Sequence, residues 1–199
     1  MSAATFQGAD TTTQGGWIEA GYGTLGHLLL VDTAGTIGPA SSLPAGLSIT
    51  PAGASTFDFD PGTVDPRGPE IPGGSARTAC AWYGPGGVGG SFALQYRPGD
   101  TTPRRIRLYC SDWDHSDGRA QSITLTDPAD STQLDQQELS TFTAGTILSW
   151  DIAGDINFDI TSTNSLNPIA QAVYIDPAPS TGPTEAQRRR KRWLPRRHR

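Results

Sequence analysis

The second half of the chain is built from short segments in which apolar and polar residues alternate, separated by turns rich in Gly, Pro and Asp. Ser91–Arg97 and Arg104–Ser111 alternate most regularly, and the second segment places Ile106, Leu108 and Cys110 on one face. An alternation with a period of two is typical of a half-buried β-strand. The pattern predicts eight such strands: Ala76–Tyr83, Ser91–Arg97, Arg104–Ser111, Gln121–Thr126, Gln137–Phe142, Thr146–Ile152, Ile156–Thr161 and Ala170–Ile175.

The composition agrees with a chain of strands and turns. Gly and Pro contribute 24 and 16 of the 199 residues, and the only lysine is Lys191. Windows rich in Ala, Leu, Glu and Lys, which would indicate helices, are missing. Many short strands joined by turns favour a sandwich. The predicted fold is therefore all-β, a jelly-roll-like antiparallel β-sandwich of about eight strands with long loops.

The first half of the chain is less regular. Residues 1–16 are polar and are predicted to form a lead-in loop. Trp17–Val31 mixes aromatic residues with glycines and is predicted to hold a short strand at each end. The region from Asp32 to Gly74 is rich in Pro and Gly, with short strands predicted at Gly46–Thr50 and Ser55–Phe59. Long irregular regions of this kind are usually functional or wrap the edge of a domain.

The charges divide the chain into an acidic body and a basic tail. The formal net charge is −5, but the last twelve residues hold eight Lys/Arg and no acidic residue. Residues 1–187 contain the other seven arginines and all 20 acidic residues, so this body has a net charge of about −13. We predict a β-sandwich over residues 1–177, a linker over 178–187 and an Arg-rich tail over 188–199.

The tail is predicted to be a docking arm. Eight positive charges can bind the phosphates of a nucleic acid, with Trp193 stacking on a base, or they can dock on an acidic protein surface. The residues predicted to dock are Arg188, Arg189, Arg190, Lys191, Arg192, Trp193, Arg196, Arg197 and Arg199.

The two cysteines leave two readings open. Cys80 and Cys110 both lie in apolar, strand-like stretches, so they are either two buried free thiols or one disulfide that clamps neighbouring strands. The first residues contain no basic region followed by an apolar one, so no signal peptide is visible. The longest aliphatic run is Leu28–Val31, and no membrane association is predicted.

A family resemblance covers roughly residues 5–177. It is carried, in order, by GADTTTQGGWIEAGYG, DPRGPE, ARTACAWY, RLYCSDWDHSDGRAQSITLTD and LSWDIAGDINFDIT. Together these segments resemble a carbohydrate-binding-like, or galactose-binding-like, β-sandwich module of large bacterial extracellular proteins, where it is often appended to carbohydrate-active enzymes. The resemblance implies an extracellular, non-catalytic module. A stand-alone module with a charged arm also resembles a virion component, such as a phage decoration or minor tail protein, that docks on subunits with an acidic surface.

The loop between Asp112 and Arg119 collects three carboxylates. Oxygen-rich loops of this kind can bind Ca²⁺, which makes Asp112, Asp114 and Asp117 weak candidates for a metal site, but the EF-hand spacing is not met. We favour a structural role, in which the Asp side chains cap turn amides and Arg119 pairs with an acid. No cofactor is predicted.

Ligand contact is predicted for aromatic residues outside the core. Trp113 lies in the same loop, beside carboxylates and Arg119, and is the first candidate, followed by Trp17 and Tyr22. The candidate ligand-binding residues are thus Trp113, Asp112, Asp114, Arg119, Trp17 and Tyr22.

Little in the sequence indicates catalysis. A carboxylate pair such as Asp112 and Asp114 could serve acid–base chemistry in a glycosidase, so a small glycoside-active enzyme is a third hypothesis. His27, His115 and His198 are scattered, and no nucleophile elbow, zinc-protease motif or phosphate loop is present. The leading hypothesis is a non-catalytic structural and recognition module on a virion. The alternative is a carbohydrate-binding module that recognises polysaccharide or a cell-surface glycan.

Overall fold

The computed structural model describes residues 1–114 and 118–179, and in these residues the chain forms fourteen β-strands and no helix. The strands, numbered in chain order, are β1 Ala3–Asp10, β2 Gly26–Thr33, β3 Thr36–Ser42, β4 Ser48–Ala52, β5 Ser55–Asp58, β6 Cys80–Tyr83, β7 Ser91–Arg97, β8 Arg104–Cys110, β9 Gln121–Thr126, β10 Gln133–Leu139, β11 Thr146–Ala153, β12 Ile156–Ser162, β13 Ile169–Ala170 and β14 Ala172–Pro177.

Two antiparallel sheets form the sandwich. The first has six strands in the order β1-β11-β8-β14-β2-β3, and the second has five in the order β10-β9-β12-β7-β4. Alternation along the strands sends one set of side chains inward, so that Ile156, Phe158 and Ile160 of β12 are buried while the residues between them are partly exposed. The core between the sheets also contains Trp150, whose ring contacts Phe158 at a centroid distance of 5.7 Å. The predicted fold class, an all-β sandwich, is confirmed.

The six-stranded sheet is buried on its outer face as well. Loops cover a second cluster there, in which Trp17 stacks on Tyr174 of β14 with ring centroids 4.7 Å apart. The covering loops are joined by backbone hydrogen bonds between Gly15 and both Pro66 and Glu70. Any side chain at Gly15 would collide with the backbone at Gly68, so the two loops can approach this closely only at a glycine.

A small three-stranded sheet, in the order β13-β6-β5, lies beside the sandwich. In β6, Cys80 and Trp82 face inward and belong to the core. Residues that pair directly across antiparallel strands share a face. Ser55 pairs with Tyr83 and Phe57 pairs with Ala81, so Phe57 and Tyr83 share the opposite face of this sheet.

The structure corrects the predicted number of strands, because the described residues form fourteen rather than about eight. Residues 1–16 are not a lead-in loop throughout, since β1 pairs with β11 along Ala3–Asp10. The region 32–74 is more regular than expected, since it contains β3, which pairs with β2. Gly38 and Pro39 obscured β3 in the sequence, but a proline is tolerated there because β3 is an edge strand.

Three predicted strands have clearly shifted bounds. The strand predicted at Ala76–Tyr83 begins only at Cys80. The strand predicted at Gln137–Phe142 runs instead over Gln133–Leu139, and Phe142 is a buried residue of the following turn. The strand predicted at Ala170–Ile175 is divided at Gln171, because β13 pairs with β6 in the small sheet whereas β14 pairs with β8 and β2.

The cysteines are two buried free thiols, the first of the two alternatives that the sequence left open. Cys80 and Cys110 are both free and buried. Burial raises the pKa of the Cys80 thiol to about 11 and that of Cys110 to about 12, so both stay protonated at neutral pH.

Candidate functional site

The loop that joins β8 to β9 is organised around one buried ion pair. Asp112 is fully buried and Arg119 is 3% exposed. Arg119 Nη1 donates to Asp112 Oδ1 at 2.6 Å, and the Arg119 backbone N–H donates to Asp112 Oδ2 at 3.1 Å. An unpaired charge in this position would be costly, so each residue depends on the other. The predicted pairing of Arg119 with an acid is found here.

Three further groups hold the Arg119 guanidinium. It forms an ion pair with Asp114, and it donates to both the backbone carbonyl and the Oδ1 of Asn167 at 3.2 Å. Its Cζ lies 5.7 Å from the centre of the Phe59 ring. The guanidinium therefore ties the loop to the segment before β13 and to the residue that follows β5.

The weak candidates for a metal site are Asp112, Asp114 and Asp117. The first two carboxylates are paired with Arg119, a cation that already lies between them. Asp117 lies outside the described residues. Within residues 1–114 and 118–179, no group of three His, Cys, Asp or Glu side chains is placed to hold a metal ion. Calcium binding stays a hypothesis, which an unchanged melting temperature in EDTA and in excess Ca²⁺ would contradict.

Trp113 is half-buried and stacks on an arginine. Arg67 Cζ lies 4.5 Å from the centre of the Trp113 ring, a cation–π contact, and Arg67 Nη2 forms an ion pair with Asp65 at 2.9 Å. Hydrogen bonds from Arg67 lower the pKa of Asp65, which keeps this pair charged. One face of the Trp113 ring is thus already covered from within the chain.

Trp17 and Tyr22 lie over the outer face of the six-stranded sheet. Trp17 is 4% exposed, and its indole N–H donates to the Glu70 carbonyl at 2.8 Å. Tyr22 donates its hydroxyl to Asp10 at 2.9 Å, and Arg107 lies 4.0 Å from its ring centre. The structure places Trp17 in the interior, so its predicted role as a ligand contact does not match its burial.

An aromatic surface that the sequence analysis missed lies next to the Arg119 ion pair. We call it the aromatic patch: a shallow cavity of about 230 Å³ lined by Phe57, Phe59, Tyr83, Asp114, Arg119 and Asn167. Phe57 is 50% exposed, and its ring meets that of Phe59 edge-on with centroids 5.0 Å apart. The signal was available in the sequence, because Phe57 and Phe59 are two apart in a predicted strand and so fall on one face.

The aromatic patch brings together two of the predicted residues, Asp114 and Arg119, with four that were not selected. Trp113 is the immediate sequence neighbour of Asp114 but stacks on Arg67. The predicted docking residues of the tail, from Arg188 to Arg199, lie outside the described residues.

Comparison with known proteins adds little beyond the fold. No family model matches the chain, and no curated protein matches it. One solved structure that is similar comes from work on carbohydrate-binding modules of the β-sandwich superfamily. It shares 11% sequence identity, has a TM-score of 0.25, and the match covers 75% of this chain and 70% of that one. A likeness of this size carries no information on the ligand of this protein.

Within its described part, the chain has no helix that is long and apolar enough to cross a membrane.

Proposed function

We propose that this protein is a non-catalytic recognition module that binds a neutral carbohydrate at the aromatic patch. The observation that carries the proposal is the half-exposed ring of Phe57, which stands against Phe59 beside Tyr83 in a shallow cavity. Large aromatic rings are normally buried, and an exposed one beside convergent polar groups is typical of a binding surface. The flat apolar face of a sugar ring can stack on such an aromatic ring.

Polar groups at the rim supply the hydrogen bonds that a sugar needs. Asn167 uses its Oδ1 to accept from Arg119, and its Nδ2 makes no hydrogen bond within the described part of the chain. The Tyr83 hydroxyl likewise has no partner among those residues, and its side chain is only half-buried. Arg119 holds the Asn167 side chain in place, so the Asn167 amide is presented to a ligand at little entropic cost.

The charges at the aromatic patch favour a neutral sugar. Arg119 is the one cation among the described residues that line the cavity, and it is already paired with Asp112 and Asp114. The three side chains together carry one net negative charge. Since the body of the chain is also acidic, a uronic acid or a sulfated sugar would be repelled.

The same pairing argues for recognition rather than hydrolysis. A glycosidase needs two carboxyl groups that face each other across the substrate, one of them free to donate a proton. Asp112 is fully buried and both Asp112 and Asp114 are held by Arg119. We therefore propose that the module has no enzymatic activity.

The test is affinity electrophoresis in gels that contain neutral polysaccharides, followed by calorimetry with the oligosaccharide that binds. Phe57→Ala should weaken binding about tenfold, for the loss of about 1.4 kcal/mol of stacking energy. Ile18→Ala is the matched control, because Ile18 is 42% exposed and does not line the aromatic patch. Equal affinities for the two variants would refute the proposal, as would a preference for acidic polysaccharides.

A second candidate function is favoured by the division of charge along the sequence. We propose that the basic residues 188–199 dock the module on an acidic partner surface, such as a neighbouring subunit of a virion or another extracellular assembly, with nucleic acid as the alternative partner. Deleting residues 188–199 should abolish this docking and leave the melting temperature within about 1 °C. A body that unfolds without the tail would refute the division into two parts.

A further inference from the structure

An apolar cavity opens beside the edges of the two main sheets. It lies between the edge strands β3 and β4 and beside β5, and its volume is about 430 Å³. The apolar side chains that line it are those of Leu28, Leu30, Ile37, Leu43, Ile49 and Trp82. We propose that this edge cavity binds the aliphatic chain of an uncharged small molecule, at a site separate from the aromatic patch.

The lining is apolar and largely preformed. Leu28, Leu30 and Trp82 are at most 5% exposed and belong to the core between the sheets, so the floor of the cavity is fixed by packing. No Asp, Glu, Lys, Arg or His is among the described residues that line it. Water in such a space lacks the two to four polar partners that would hold it, and an apolar ligand replaces it favourably.

The rim offers a place for a neutral polar head. Ser41 on β3 and Thr56 on β5 line the cavity, and both are exposed. Neither hydroxyl has a hydrogen-bond partner within residues 1–114 and 118–179. A ligand with an aliphatic chain and one hydroxyl or ester group can therefore bury the chain and hydrogen-bond at the rim.

Prolines on the flanking strands argue against an added peptide strand as the occupant. Pro39 lies in β3 and Pro51 in β4, each an edge strand of its sheet, and both line the cavity. A proline has no N–H to donate to a new strand, so it protects an edge from β-pairing. The volume also falls within the usual range for small-molecule sites, roughly 300–1,000 Å³.

The edge cavity is independent of the proposed sugar site. Trp82 faces the cavity from β6, whereas Tyr83, its neighbour in sequence, lines the aromatic patch on the opposite face of the same strand. The two sites share no lining residue, so a variant of one leaves the other intact and either proposal can fail alone.

The experiment measures binding of hexan-1-ol, octan-1-ol and decan-1-ol by calorimetry, with methyl NMR shifts of Ile37 and Ile49 as the site-specific readout. Affinity should rise about fourfold for each added CH₂ until the cavity is full. Octanoate should bind more weakly than octan-1-ol, because the body is acidic. Shifts confined to residues outside the cavity, or no dependence on chain length, would overturn the proposal.

A pair of neighbouring substitutions supplies the control. Ser41 lines the cavity, while Ser42 is equally exposed and points to the other face of β3. Ser41→Phe should lower the affinity for octan-1-ol at least tenfold, and Ser42→Phe should change it less than twofold. Thr56→Phe blocks the opposite side of the rim if Ser41→Phe fails to fold. Equal effects of the substitutions at positions 41 and 42 on the affinity would overturn the proposal. A wild-type dimer that Ser41→Phe converts to a monomer would also overturn it, because a second copy of the chain would then occupy the cavity.

Discussion

Replacing Arg119 by Met should destabilise the protein more than any other single substitution of an arginine described above. Arg119 is 3% exposed and its partner Asp112 is fully buried, so the substitution leaves a carboxylate in the core without its counter-charge. Breaking a buried pair in this way costs about 3–5 kcal/mol. Folded domains have about 5–15 kcal/mol of stability in total, so a large fraction would be lost.

Urea unfolding followed by tryptophan fluorescence measures this loss. With a denaturant slope of about 2 kcal/mol/M, a loss of about 4 kcal/mol lowers the midpoint by about 2 M. Arg105→Met is the control, because Arg105 pairs with Asp151 at 2.8 Å on the surface, where side chains are 21% and 26% exposed. That pair should be worth no more than about 1 kcal/mol, or about 0.5 M.

The double substitution of Asp112 and Arg119 by apolar residues decides whether the cost comes from the unpaired charge. If it does, the double variant is more stable than the sum of the single losses predicts, by about 2 kcal/mol. A midpoint that Arg119→Met lowers by less than 0.5 M, or losses that simply add, would refute the reasoning.

Three other properties are open to direct measurement. Cys80 and Cys110 should not react with a thiol reagent such as DTNB until the protein unfolds, because burial raises both pKa values; reaction of the native protein at neutral pH would contradict this. Burial opposes ionisation of Asp10, but five hydrogen bonds to its carboxylate hold its pKa well below the usual value. Its stabilising effect is complete above about pH 4 and is lost as the pH falls towards that lowered pKa, so Asp10→Asn should cost more at pH 6 than at pH 2.5 in urea melts. Gly145→Ala should cost about 3 kcal/mol or more by thermal melts, because Gly145 has φ +91° and a Cβ there would overlap the ring of Tyr109.

The sequence predicts a strand most accurately where its residues themselves alternate between apolar and polar. β7 and β9 were predicted with their observed bounds, because apolar and polar residues alternate along them. β3 carries Gly38 and Pro39 and has an exposed position at each end, so no alternation marks it. Its place in the fold depends on pairing with β2, which is a tertiary contact.

The candidate site was predicted only in part for a related reason. The pairing of Arg119 with an acid could be inferred, because both groups lie in one short loop. The position of Phe57 beside Arg119 and Asn167 could not, because it depends on the register between β5 and β6 and on where β13 lies, over a sequence separation of about a hundred residues. Contacts between residues so far apart in the sequence are determined by the fold as a whole and not by any local pattern.

The position of β14 determines when the protein can fold during synthesis. Among the described residues, β14 is the last strand to leave the ribosome, yet it lies in the middle of the six-stranded sheet, hydrogen-bonded to β8 on one side and β2 on the other. Until residue 177 emerges, those two strands expose edges of unpaired backbone N–H and C=O groups, and the six-stranded sheet exists only as two fragments. The nascent chain is therefore exposed to aggregation until β14 has emerged, and a chain that ends at residue 171 would still lack this central strand.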